Sequence, residues 1–168
     1  MREVNVNDDA NVFMLVEKCD LPSKGRRFRV RVPHGFDAVV LTTGEREELL
    51  GAGRKDVFSK KHIKSMYFVR LTIAEQLDWR VDNVQGFLFV SVCNSRKLVK
   101  KLSGRNISDV RSIIKLLSGR IVSAIKTNLD KSFSSTLEVS EISSVIAREL
   151  YEVFDEYGLH IERFQINT

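Results

Sequence analysis

The chain has 168 residues, of which 43% are hydrophobic and 29% are charged, a composition typical of an ordinary globular protein and not of a disordered or fibrous one. Its formal net charge of +5 is uneven, because the region 137–168 holds seven acidic residues against two basic ones. No apolar run approaches the roughly 20 residues of a transmembrane helix, and the polar start of the chain argues against a signal peptide.

The chain contains two cysteines, Cys19 and Cys93, which lie far apart in the sequence. Neither belongs to a CxxC motif or to a cluster with histidine, so the sequence predicts neither a disulfide framework nor a zinc site. This cysteine usage is typical of a reducing cytoplasm. Cys93 ends an apolar segment, and we expect it to be a small buried hydrophobic residue.

The first 94 residues carry the apolar alternation of β-strands. In the segment 26–32, Phe28, Val30 and Val32 fall on one face and the intervening arginines fall on the other. The segment 12–16 also has strand character. The remaining predicted strands are 36–42, 47–50, 66–72, 76–81 and 84–94, the last of which is apolar enough for a central strand.

Helical periodicity dominates the rest of the chain. A short helix is predicted over 95–102 and a long one over 108–129. A third helix begins with Ser140 as its N-cap and ends at Gly158, where a left-handed residue is needed. It leads directly into a strand over 159–166 whose alternation has one break.

Strands that come first and helices that follow predict an α+β fold. We expect a mostly antiparallel twisted sheet with the helices packed on one side. The chain contains no flexible linker, so we expect a single domain over 11–168, preceded by a flexible N-terminal segment over 1–10.

Five segments, in the expected order, resemble the SPFH or band 7 domain of stomatins, prohibitins and flotillins. Within that family the chain is most similar to the bacterial branch described as virion-core-protein-like. The resemblance spans about residues 11–168. The segments are VPHGFDAVVLTTGE, GAGRKDVF, YFVRLTIAEQLDWRV with its Leu77-x-Trp79 pair, FLFVSVCNSRKLVKKLSG, and EVSEISSVIARELYEVFDEYGLHIERFQIN.

The resemblance implies a non-enzymatic scaffold that self-associates and recruits proteins or lipids at the cytoplasmic face of a membrane, organising microdomains there. It implies a homo-oligomer with other protein partners and no cofactor. We expect a cytoplasmic protein that makes peripheral contact with an anionic membrane at the inner face of the plasma membrane. The alternative is a soluble protein-binding adaptor with no lipid contact.

Members of this family usually continue past the closing strand into a helical or coiled-coil tail. This chain ends on that strand, at Thr168. We therefore expect either an excised domain or a protein without the tail.

No constellation of catalytic or metal-binding residues is visible in the sequence. The histidines His34, His62 and His160 have no metal-ligand spacing. The segment 51–55 lacks the GK[ST] ending of a phosphate-binding P-loop and predicts a tight turn. The sequence therefore predicts no catalytic, cofactor-binding or metal-binding residue, and no enzyme.

The best candidate for a functional site is a row of arginines on one strand face. Two-residue steps place alternate side chains about 7 Å apart, which suits phosphates or anionic headgroups. The alternative is a polar outer face that protects an edge strand from aggregation. Nucleic acid is not expected as a partner, because the aromatic Phe28 falls on the opposite face. The candidate residues are Arg26, Arg27, Arg29 and Arg31, which Lys24 extends.

Overall fold

A computed structural model describes residues 2–4, 16–18, 20–22, 25–71, 74–102, 110–132 and 137–167. The fold is α+β, as the sequence predicts. The chain divides into two compact units, of which the first comprises Met1–Ile73 with Ser95–Asp109 and the second comprises Ala74–Asn94 with Val110–Thr168. The expectation of one domain over 11–168 stays a prediction.

The first unit contains two sheets, with strand orders β1-β3-β6 and β2-β7-β4-β5, and one helix, α1. Every pairing in these sheets is antiparallel except β1 with β3, which is parallel. A short 3₁₀ turn, Lys60–His62, connects β6 to β7. The elements are β1 (Arg2–Val4), β2 (Val16–Lys18), β3 (Arg27–Arg31), β4 (Phe36–Thr42), β5 (Glu47–Leu50), β6 (Lys55–Ser59), β7 (Ile63–Arg70) and α1 (Ser95–Leu102).

Apolar side chains from both sheets of the first unit form one core. Phe28 and Phe58 lie opposite each other on β3 and β6, with their ring centroids 6.2 Å apart. Val40 and Phe68, from β4 and β7, are buried in the same cluster. Each large apolar side chain that is fully buried contributes about 1.5–3 kcal/mol to stability. The inward faces of β3 and β4 therefore hold the first unit together.

The second unit is one antiparallel sheet with two helices packed on it. The sheet order is β10-β9-β8, which places β9 in the middle. The two helices pack on the apolar side of the sheet, where Leu88 is buried. Their buried residues include Ile125 on the first helix, α2, and Ile146 and Leu150 on the second, α3. The elements are β8 (Glu75–Val81), β9 (Val84–Val92), α2 (Val110–Ser132), α3 (Val139–Asp155) and β10 (Leu159–Asn167).

Gly86 leaves the space in which an aromatic pair packs on the second sheet. It lies between Trp79 on β8 and Ile166 on β10 in the strand register. The Trp79 ring stacks on Phe164, with centroids 5.2 Å apart and an interplanar angle of 8°. A Cβ at position 86 would overlap the carbonyl oxygen of Gln165 and lie 2.5 Å from Cζ2 of Trp79. Only glycine therefore fits beneath this ring.

The closing helix and strand follow their prediction closely, with one correction. Gly158 adopts a left-handed φ of 68°, as expected of a helix stop. The break in the alternation is a register shift between Ile161 and Arg163 on β10. The N-cap is Glu138 and not Ser140, because Glu138 and Glu141 form a reciprocal capping box that satisfies two backbone N–H groups.

Other predictions differ from the structure in identifiable ways. The strands form three sheets and not one. The segment Lys55–Ser59, for which the sequence predicts no strand, is a strand because it pairs with β3, and only Lys55 of the turn predicted over 51–55 lies within it. Arg2–Val4, inside the segment expected to be flexible, pairs with β3 on its other side. Cys93 is exposed and not buried, since it follows the last residue of β9.

Three further expectations touch residues outside those described. Of the strand predicted over 12–16, only Val16 lies in the described part, where it begins β2. The predicted start of the long helix at 108 lies outside it, and α2 is described from Val110 onward. Within the described ranges, no helix combines the length and the apolar character that crossing a membrane takes.

Candidate functional site

The arginine row lies on the middle strand of its sheet. Arg27, Arg29 and Arg31 are exposed, while the alternating Phe28 and Val30 are buried at 1% and 0% exposure. The predicted division of this strand into a basic and an apolar face is therefore confirmed. The alternative interpretation, an edge strand that needs protection, is wrong, because β3 has hydrogen-bonded neighbours on both sides.

Neighbouring strands extend the arginine row sideways. The antiparallel register with β6 places Lys55 beside Arg31 and Val57 beside Arg29. The parallel register with β1 places Glu3 on the other side of Arg29. Adjacent strands are about 5 Å apart, so these side chains form one continuous surface. We call the exposed surface made by Arg27, Arg29, Arg31 and Lys55 the basic face.

A pocket opens at one end of the basic face, where the chain enters β3 and leaves β6. The register pairs Arg27 with Ser59 at this end. The backbone N–H of Lys60 donates a hydrogen bond of 3.0 Å to the carbonyl oxygen of Arg26, which joins the two segments. The cavity has a volume of about 710 Å³. Its lining, which we call the basic pocket, is Gly25, Arg26, Arg27, Ser59, Lys60 and Lys61.

The charged residues around the basic pocket are all positive. Among the described residues that line it, four are cationic and none carries a carboxylate. Lys60 is half-buried, whereas Arg26, Arg27 and Lys61 are exposed. A concave surface lined by like charges focuses the electrostatic potential more strongly than a flat one. The pocket is therefore a stronger local attractor for anions than the basic face.

The helix α3 presents a surface of opposite charge. Glu141, Val145, Glu149 and Glu152 follow one another at three- and four-residue steps and are all exposed. We call these four residues the acidic helix face. The side-chain amide of Asn128, on α2, donates a hydrogen bond to Glu149. Val145 is 42% exposed and gives this face an apolar centre.

Next to the acidic helix face, an ion pair fixes the last turn of α3 to α2. Arg120 donates two hydrogen bonds, of 3.0 and 3.3 Å, to the two carboxylate oxygens of Glu156. The hydrogen bond to Glu156 raises the pKa of the Arg120 guanidinium. Both side chains are about half exposed, so the pair contributes little stability of its own.

The first unit has a second basic surface, on α1. The buried residues of this helix, which include Leu98, Val99 and Leu102, lie on one side. The exposed residues on the other side are Arg96, Lys97, Lys100 and Lys101, which we call the basic helix face. The helix is held at its start by the Ser95 hydroxyl, which donates a 2.7 Å hydrogen bond to Asp37 on β4.

The residues considered for chemistry lie in separate parts of the fold. His34 lies in the turn after β3, His62 ends the 3₁₀ turn, and His160 lies on β10 with its ring edge toward Tyr151 at 6.0 Å. Gly53 has a φ of 78° in the tight turn before β6, as the sequence predicts. Among the described residues, no three histidine, cysteine or acidic side chains converge where a metal could bind.

Sequence reasoning found the arginine row but missed half of the basic pocket. Lys60 and Lys61 join it only because β6 pairs with β3, a contact between segments about 30 residues apart. The available signal was the Lys-Lys pair that follows the apolar Phe58. Lys24, predicted to extend the row, lies outside the described residues.

Comparison with known proteins does not assign the chain to a family. No protein-family model matches it, and no curated protein is significantly similar to it. The SPFH resemblance therefore stays a prediction from sequence.

Proposed function

We propose that the protein is a non-enzymatic scaffold domain of the SPFH type, which self-associates and recruits lipids or proteins at the cytoplasmic face of a membrane. The observation that carries the proposal is the basic face, a row of exposed arginines on a strand that is not at an edge. Its position in a middle strand removes the need for charge as protection against edge-to-edge pairing. Contact with an anionic surface gives these arginines a role.

The basic face suits weak contact with anionic headgroups. Each basic residue near an anionic leaflet contributes about 1 kcal/mol. The four cations of the basic face, offset by the neighbouring Glu3 carboxylate, therefore contribute about 3 kcal/mol, which corresponds to a millimolar dissociation constant for one copy. Several copies held in one assembly bind far more tightly than one. The proposed peripheral binding at the inner face of the plasma membrane thus depends on self-association.

Charge complementarity supports self-association between copies of this chain. The acidic helix face of one copy fits the basic helix face of a second copy, since both are exposed helix surfaces of opposite charge. Such a contact is heterologous, because it joins two different surfaces, and it produces rings or open filaments. The residues of the basic face take no part in this contact.

Vesicle co-sedimentation tests the lipid contact. We expect the protein to sediment with vesicles of phosphatidylcholine and phosphatidylserine at low salt, and not with phosphatidylcholine alone. The double variant Arg29→Glu, Arg31→Glu cancels the positive charge of the basic face and should abolish sedimentation. The matched control is Lys115→Glu with Lys126→Glu, the same charge change on exposed positions of α2. Unaltered sedimentation of the arginine variant overturns the lipid contact.

A complementation experiment tests self-association. Val145→Lys with Glu152→Lys removes the net charge of the acidic helix face, and Arg96→Glu with Lys100→Glu removes the net charge of the basic helix face. Each variant alone should be monomeric by light scattering, since it keeps only one of the two surfaces. A mixture should form a complex of one copy of each that cannot extend. A wild-type protein that is monomeric at high concentration contradicts this part of the proposal.

The second candidate function is a protein-binding adaptor with no lipid contact. The observation that favours it is the acidic helix face, because Val145 gives it the apolar centre of a protein-binding surface. Self-association without vesicle sedimentation supports this candidate over the first.

A further inference from the structure

The basic pocket differs from the basic face in shape and in the chemistry of its donors. The basic face is a sheet surface with its cations in rows. The pocket is concave, and its donors come from two segments, Gly25–Arg27 and Ser59–Lys61, that meet at the end of a strand pair. It combines two guanidinium groups, two ammonium groups and one hydroxyl. Such a mixture offers an anion both bidentate and point-charge partners.

The donor set suits a doubly charged anion with several acceptor oxygens. Guanidinium groups bind phosphate through two parallel hydrogen bonds, and lysine acts as a mobile point charge. A phosphomonoester carries a charge of about −1.5 to −2 at neutral pH and three acceptor oxygens. A phosphodiester or a carboxylate offers one charge and fewer acceptors. Four cationic residues around one pocket therefore favour the monoester.

The size of the pocket exceeds a single phosphate group. Its volume of about 710 Å³ lies within the range of roughly 300–1,000 Å³ that small-molecule sites occupy. A phosphorylated ring fills such a volume, with its phosphate groups on the cations and a ring hydroxyl near Ser59. The left-handed φ of 101° at Gly25 turns the chain at the mouth of the pocket without a side chain.

We propose that the basic pocket binds a phosphomonoester dianion on a sugar or inositol ring. The proposal rests on the proposed membrane contact and deepens it, since a phosphoinositide headgroup supplies this chemistry at the same surface. The basic face then supplies non-selective attraction to the membrane, and the pocket supplies selection among anionic lipids. A soluble inositol phosphate carries the same group, so the experiment treats lipid and free ligand separately.

Calorimetric titration with soluble inositol trisphosphate tests the pocket without a membrane. Lys60→Ala with Lys61→Ala should weaken binding about thirtyfold, since each lost cation weakens it roughly fivefold. Arg29→Ala with Arg31→Ala lies outside the pocket and should leave this affinity within about twofold. The charge-matched control, Lys115→Ala with Lys126→Ala on α2, should behave as wild type. Circular dichroism melting establishes that every variant is folded.

Vesicle sedimentation supplies the lipid arm. Vesicles containing phosphatidylserine or phosphatidylinositol bisphosphate are prepared at equal surface charge. Wild type should prefer the bisphosphate, and Lys60→Ala with Lys61→Ala should bind both vesicles equally but still sediment. Arg29→Glu with Arg31→Glu should lose phosphatidylserine vesicles and retain the soluble ligand.

The outcomes separate the two proposals. No binding of inositol trisphosphate and no preference for the bisphosphate overturn the pocket, while sedimentation with phosphatidylserine still supports the membrane contact. Binding of inositol trisphosphate without sedimentation supports the pocket as a site for a soluble phosphomonoester and overturns the membrane contact. Equal loss of the soluble ligand in the pocket variant and in the α2 control overturns the pocket, because net charge alone then explains binding.

Discussion

β3 and β9 are both middle strands of three-stranded sheets, but the side chains on their outer faces differ in chemistry. β3 lies between β1 and β6, and β9 lies between β8 and β10. Each strand buries one apolar face, with Phe28 on β3 and Leu88 on β9, both 1% exposed. The other face of β3 carries exposed arginines such as Arg29, whereas that of β9 carries the half-buried Phe87 and Phe89.

The difference shows what a middle strand does and does not require. Its backbone groups are paired on both sides, so its outer side chains need not guard against edge pairing. β9 confirms that aromatic residues are accepted there, and the Arg163 guanidinium lies 5.8 Å from the ring centre of Phe87. The arginines of β3 are therefore not demanded by its place in the sheet, which is compatible with the anionic contact proposed above.

The largest loss of stability is expected on β9, where no residue other than glycine fits at position 86. The added Cβ of Gly86→Ala would overlap the Gln165 carbonyl oxygen and approach the Trp79 ring. Because the obstacle includes backbone of the neighbouring strand, relaxation requires β10 to move. We expect a loss of about 5 kcal/mol or more, enough to unfold the protein. Urea denaturation measures this loss.

Gly119→Ala is the matched control for that substitution. Gly119 lies within α2 with no atom within 4 Å of an added Cβ. Alanine favours a helix over glycine, so the change should stabilise the protein by about 0.5–1 kcal/mol. Equal destabilisation by both substitutions contradicts the packing explanation.

A smaller effect on stability is expected on the buried face of β3. Phe28→Ala removes a ring that packs against Phe58 in the core. The lost burial and the cavity together should cost about 3–5 kcal/mol. Thermal melting of the variant measures this cost, and a change below about 1 kcal/mol contradicts the assignment of Phe28 to the core.

Substitutions on the exposed face of β3 should weaken vesicle binding and leave stability almost unchanged. Arg29→Ala with Arg31→Ala should change the free energy of unfolding by no more than about 0.5 kcal/mol, because both side chains are exposed. Vesicle binding should fall about thirtyfold, since two contacts of about 1 kcal/mol are lost. If this variant unfolds as readily as Phe28→Ala, the arginines support the fold and the comparison fails.

The structural features that could be predicted from the sequence are those that depend on local periodicity. The alternation of Phe28 and Val30 with arginines determines the two faces of β3 without any knowledge of its neighbours. The apolar repeat of the closing helix and the glycine at position 158 likewise place the last two elements. These are properties of single stretches of consecutive residues and need no tertiary contact.

The parts that sequence reasoning missed depend on distant pairing. The segment Lys55–Ser59 has only two apolar residues and becomes a strand because β3 offers it a partner. The same pairing brings Lys60 and Lys61 beside Arg26. Their positions are set by tertiary contact, so half of the candidate pocket had no local signal strong enough to predict it.

A small effect on stability is expected at the cap of α3, where the predicted N-cap and the observed one differ by two residues. Serine is a preferred N-cap residue and glutamate is not, so the sequence predicts Ser140 as the N-cap. Glu138 nevertheless accepts a hydrogen bond from a backbone N–H in the first turn, and the Glu141 carboxylate accepts one of 3.1 Å from the backbone N–H of Glu138.

Glu138→Ala should therefore cost about 1 kcal/mol, and Ser140→Ala, already inside the helix, should stay within about 0.5 kcal/mol. Chemical denaturation of the two variants side by side measures the difference, and a larger cost for Ser140→Ala would return the cap to the serine. Glu138 lies outside the helix and Ser140 lies inside it, where alanine is favoured over serine, so the difference reports the capping box together with a small gain in helix propensity at position 140.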